Sequence, residues 1–127
     1  MNLSDYFEKA KGKGIIATAD SKGKVGMAVY ARPHFMNEKT AVLIMADRLM
    51  HKNLQSNPSA SYLFVEEGLG YTGKRLYLTK IKEEKDSDLV NQLRRRECCP
   101  VDESYKQGQR FVVYFKVGKV LPLIGAK

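Results

Sequence analysis

Six runs of apolar, β-branched and aromatic residues, with only three short stretches of helical periodicity among them, restrict most tightly how this chain can fold. The runs are GIIATAD (14–20), VGMAVYAR (25–32), TAVLIMAD (40–47), SASYLFVE (59–66), KRLYLTKIKE (74–83) and RFVVYFKVGKVLPLIG (110–125). Turn-forming residues bound them. Asp20-Ser21-Lys22-Gly23 joins the first two as a hairpin, Pro33 closes the second, and the glycine-bearing EEGLGYTG links the fourth to the fifth. The helical stretches place Leu3, Tyr6, Phe7 and Ala10 behind an Asn2 or Ser4 cap, Leu49, Met50 and Leu54 before a stop at Asn57-Pro58, and Leu89, Val90 and Leu93 behind Ser87. A doubly wound parallel sheet needs helices alternating regularly with strands. The order here favours a mainly β fold instead, an antiparallel barrel of six strands with peripheral helices, closed so that no apolar edge stays exposed. TAVLIMAD is apolar on both alternating faces, as a strand is when each face is covered. The 127 residues, 43% hydrophobic and free of repeats or linkers, read as one domain spanning 1–127.

A formal net charge of +8, from 22 basic and 14 acidic residues, implies affinity for anions. Nucleic acid is the weakest candidate. There is no basic tail and no recognition motif, and Phe64, Phe111 and Phe115 alternate inward instead of forming an exposed stacking face. No run approaches the roughly 18 to 20 apolar residues that cross a bilayer, and the N-terminal MNLSDYFEKAKGKG carries acids where a signal peptide has its apolar centre. A cytoplasmic location is expected, with no membrane partner. Cys98 and Cys99, adjacent and following Arg94, Arg95 and Arg96, read as reduced thiols of structural or incidental role. The chain has no nucleophile elbow, no HExxH and no P-loop.

Two stretches carry candidate chemistry. In ADRLMHKNLQSNPSASYLFV (46–65), Arg48, His51 and Lys52 stand where a covered strand gives way to a short helix. Unpaired backbone N–H groups and the positive end of the helix dipole meet there, which is an arrangement for holding phosphate, with Arg48 and Asn53 as further donors. A solvated basic first turn is the competing reading. In VGMAVYAR, the face formed by Gly26, Ala28, Tyr30 and Arg32 is small at its start and polar at its end, so a flat ligand could approach the backbone. The alternative is that the small residues lie opposite a neighbouring helix.

The order of N-terminal helix, GIIATADSKGKVGMAVYARP, TAVLIMAD and MHKNLQSNPSASYLFV resembles the FMN-binding split barrels related to pyridoxamine 5'-phosphate oxidase, over roughly residues 3 to 82. The resemblance implies a six-stranded split barrel, and a homodimer holding FMN in clefts between two barrels. Ala28, Val29, Tyr30 and Ala31 would contact the ring, with Arg32 close by. Asp47, Arg48, Met50, His51, Lys52 and Asn53 would form the phosphate loop, Lys52 being the main charge partner. The second apolar face of TAVLIMAD would meet the other subunit. The function implied is that of an FMN-dependent oxidoreductase or electron carrier acting on a small-molecule redox substrate, without a metal. A split barrel binding haem or a deazaflavin is the alternative. The C-terminal VLPLIGAK lacks the basic pattern with which the full-length oxidases hold their substrate, so that specific activity is not expected.

Overall fold

The computed structural model describes residues 2–85 and 110–125; the third expected helix, with Ser87, Arg94 to Arg96, Cys98 and Cys99, lies outside them. Helix α1 (Leu3–Lys9) starts where Asn2 caps it, its side chain accepting from the Asp5 amide at 2.8 Å. Strands β1 (Gly12–Ala19) and β2 (Val25–Tyr30) form the anticipated hairpin. Asp20 Oδ1 accepts from the Lys22 and Lys24 amides, each at 2.9 Å, and Gly23 turns the chain at a φ of 86° that side-chain-bearing residues rarely adopt.

Among the described residues seven strands form, one more than expected. The additional strand, β3 (His34–Asn37), follows Pro33 directly and pairs with β4 (Thr40–Ala46). Four residues hold too little alternation to be read as a strand, and the turn to β4 creates the pairing, with Asn37 Oδ1 accepting from the Lys39 amide at 2.9 Å. Helix α2 (Leu49–Ser56), β5 (Ser59–Glu66), β6 (Gly73–Lys85) and β7 (Arg110–Pro122) complete the order. All pairs are antiparallel in one sheet, β2-β1-β5-β6-β7-β4-β3.

The sheet curls around its core without closing. Among the described residues the end strands β2 and β3 do not pair, so the expectation of an edge-free barrel is corrected. Among the described strands β2 pairs with β1 alone, and it carries an outward apolar face, with Val25, Met27 and Val29 each about two-thirds or more exposed. Helix α2 packs on β1, β2 and β4, and α1 on β3, so the helices cover what the hydrogen bonds leave open.

Phe7 of α1 is fully buried, stacked on Phe35 at 5.7 Å and set edge-on to Tyr62 and Phe64. Around it lie Ile16, Leu43, Met45, Leu76, Val113 and Phe115. On the other side of the sheet, Val42 is buried with Val112 and Tyr114 in a second cluster. Both faces of β4 are therefore covered within a single chain.

Replacing Phe7 with Ala removes a ring that four aromatic neighbours, Tyr6, Phe35, Tyr62 and Phe64, surround. The expected loss is about 3–5 kcal/mol of folding stability, read as a lowered urea midpoint with an unchanged slope.

Candidate functional site

Chain direction reverses at the end of β4, and α2 begins with an arrangement that an isolated helix would avoid. Arg48 occupies the N-cap with extended backbone and makes no side-chain capping bond, and no acidic residue stands in the first turn. Helix starts favour Ser, Thr, Asp or Asn as cap and acids nearby, because several N–H groups lack intrahelical acceptors and the dipole is positive there. Here Arg48 and Lys52 add exposed positive charge at that same end. They border a cavity of ≈ 650 Å³, open to solvent, whose wall comprises Asp47, Arg48, Leu49, His51, Lys52 and Gln55 with Glu83 of β6 and Phe111 of β7.

His51 ties the first turn to the sheet. It is buried, its ring stacked on Phe111 with centroids 3.8 Å apart and planes 12° from parallel. Its Nε2 lies 2.9 Å from Glu83 Oε2 and its Nδ1 3.6 Å from Asp47 Oδ1. Gln55, one turn on, donates to Glu83 Oε1 at 2.9 Å and to the His51 carbonyl at 3.1 Å. Lys80 pairs with the same carboxylate. Partial burial acts to raise the Glu83 pKa, but hydrogen bonds from Gln55, Lys80 and His51, with the charge of His51 added, hold it at about 2. Glu83 thus supplies, from a neighbouring strand, the negative charge that the first turn of α2 lacks.

The remaining expected site residues divide clearly. Asp47, Arg48, His51 and Lys52 line the cavity. Met50 and Asn53 do not, since both are buried on the opposite face of α2, where Thr18 donates to Met50 Sδ at 3.2 Å and Asn53 donates to Thr18 Oγ1 at 3.1 Å. On β2, a Cβ at Gly26 would stand 2.9 Å from Met50 Cε and 3.4 Å from Leu49 Cδ2. The small face of β2 therefore receives helix α2, the alternative weighed for it, and is not a bed for a flat ligand. Ala28 and Tyr30 on that face pack against the core. Arg32 is buried and donates to the Glu8 and Ala10 carbonyls at the end of α1. Val29 and Ala31 alone among the expected β2 contacts are exposed. Leu49, Gln55, Glu83 and Phe111 belong to the cavity wall and were not anticipated.

No protein-family model and no curated protein matches the sequence. Solved structures do match in shape. An FMN-binding protein from Syntrophomonas wolfei superposes with a TM-score of 0.79 over 99% of this chain and 86% of its own, at 13% identity. An F420 reductase gives 0.73 over 95% and 98%, at 10% identity, and pyridoxamine 5'-phosphate oxidase-like proteins superpose similarly. The chain has the split-barrel fold. Split barrels with other cargo share it too: the haem-storage protein HutZ from Vibrio cholerae superposes at 0.61 over 96% and 95%, at 18% identity. In this split barrel no described helix is long and apolar enough to cross a membrane.

The depressed Glu83 pKa sets a pH dependence. A carboxylate held at about 2 in the folded chain, against its ordinary 4.5, contributes stability in full above about pH 4.5 and loses it as pH falls toward 2. Glu83→Gln is expected to be less stable than the parent at pH 7, with the difference narrowing between pH 4.5 and 2 in chemical denaturation series.

Proposed function

We propose that this split barrel binds FMN, with the phosphate held at the first turn of α2 and the ring lying toward the exposed face of β2. The observation that carries the reading is the reversed electrostatics of α2: an N-terminus without a side-chain cap or an acidic first turn, flanked by Arg48 and Lys52, and opening on a cavity. Glu83 is engaged with His51, Gln55 and Lys80, and a phosphate ester, which accepts from backbone N–H groups and cations alike, would serve the α2 amides, Arg48 and Lys52. Leu49 connects the two halves of the site, since it lines the cavity and also touches β2 at Gly26. The outward Val25, Met27 and Val29 give the ring an apolar surface, and a second copy of the chain against that face would complete a cleft in a homodimer.

Bound there, a flavin supplies the redox chemistry, exchanging one or two electrons with a small-molecule donor or acceptor. The residues of this chain bind and orient. Lys52 and Arg48 carry the phosphate charge, the α2 amides fix its position, and His51 and Glu83 are engaged with each other instead of with a substrate. A redox protein of the cytoplasm, enzyme or electron carrier, is the function this arrangement serves best.

Titration of flavin fluorescence against the purified protein tests the reading. Lys52→Ala is expected to weaken FMN binding about tenfold, roughly the loss of one charge-assisted hydrogen bond, without moving the thermal midpoint. An unchanged affinity would remove the phosphate assignment.

A further inference from the structure

We infer that His51 is a positioning residue for the phosphate site: through Glu83 and Phe111 it fixes the direction of the first turn of α2, and so sets how strongly the protein prefers FMN over riboflavin. The inference rests on the FMN reading and assigns a device within it.

The sequence alone offers His51 two roles, donating to the anion or packing on a ring, since it stands between Arg48 and Lys52. The geometry gives it another task. One face of the ring is covered by Phe111, and Nε2 points away from the helix start toward β6, where Glu83, a carboxylate at any pH above its depressed pKa, can only accept. Nδ1 faces Asp47. With one ring face on Phe111 and Nε2 at 2.9 Å from Glu83, the imidazole is held by the sheet, and Nδ1 has the exposed Asp47 carboxylate beside it at 3.6 Å.

What His51 does control is the backbone. It is the third residue of α2, so its own amide is among the N–H groups that have no intrahelical acceptor. Fixing its side chain to two strands fixes that amide and its neighbours. Gln55 reinforces the arrangement from the next turn, bonding both the His51 carbonyl and Glu83. The groups facing His51 from all the packed elements are Asp47 on the loop, Glu83 and Lys80 on β6, and Phe111 on β7, with Arg48 and Lys52 on α2 itself. An eight-residue helix has little rigidity of its own, and the buried contacts of Met50 and Asn53 secure only its opposite face. Without the link to Glu83, the first turn would still pack on the core but would no longer present its amides in one direction. A ligand lacking phosphate would not register the difference.

Paired flavin titrations separate these roles. His51→Phe keeps the stacking on Phe111 and loses the bond to Glu83; Glu83→Gln leaves the histidine and removes the charge. Each is expected to raise the FMN dissociation constant about tenfold while leaving that of riboflavin within about twofold, and the double variant is expected to lose no more than either single one. His51→Gln, which retains a donor toward Glu83, is expected to restore most of the FMN preference. Equal weakening of both flavins, or an unaltered FMN to riboflavin ratio in both single variants, would overturn the positioning role. Should His51→Phe fail to fold, Glu83→Gln decides the question alone. A parent protein that binds the two flavins equally would contradict the phosphate site itself, which is a separate and recognisable failure.

Discussion

The contact between His51 and Glu83 joins the less favourable of the two described helix starts to β6, one of the two longest described strands. Cationic residues at a helix N-terminus oppose the dipole, and a cap position without a capping side chain leaves amides unanswered. Such a start persists because the chain brings a carboxylate to it from β6 and an aromatic face from β7. Local rules broken in one place and offset by distant contacts mark where a protein has been shaped for something besides stability.

The carboxylate reaches its place through an irregularity in β6. Leu76 and Leu78 are buried on the inner face and Lys80 follows them, but the register shifts between Lys80 and Lys82, leaving Ile81 exposed. The shift exchanges odd for even. Past it, Glu83 pairs with Val113, a core residue, and turns inward, while Lys82 and Glu84 pair with Tyr114 and Val112 of the outer cluster. Lys82 lies over the Tyr114 ring and Glu84 accepts from its hydroxyl at 3.3 Å. A single extra residue thus sends one of two adjacent glutamates to the cavity and the other to the opposite face.

Much of this was legible in the chain itself. Residue periodicity yields both described helices and six of the seven strands, and the Asp20 turn, the Asn2 cap and the Asn57-Pro58 stop fall where turn and capping chemistry place them. Openness of the sheet was not legible, because pattern alone does not say whether end strands meet. The charged half of the site, Asp47 through Lys52, stands out through its unusual charge at a helix start. Its inner wall does not: Glu83 depends on the β6 irregularity, and Phe111 alternates with core residues, so nothing local marks it as a cavity residue. Gly26 shows the reverse problem, since a small residue under a helix and a small residue under a ring read alike until Met50 is seen against it.

The relation between fold and function here is of one direction. Helix α2 packs on β1, β2 and β4 and shields the core there, and in doing so it brings its own positive end to the surface beside β2. A crystal structure of the protein grown with FMN tests that account most directly. It is expected to show phosphorus density within hydrogen-bonding reach of the Leu49 to His51 amides and the Lys52 ammonium group, with the His51 ring still on Phe111. Phosphate density elsewhere on the barrel, with the start of α2 facing bulk solvent, would contradict it.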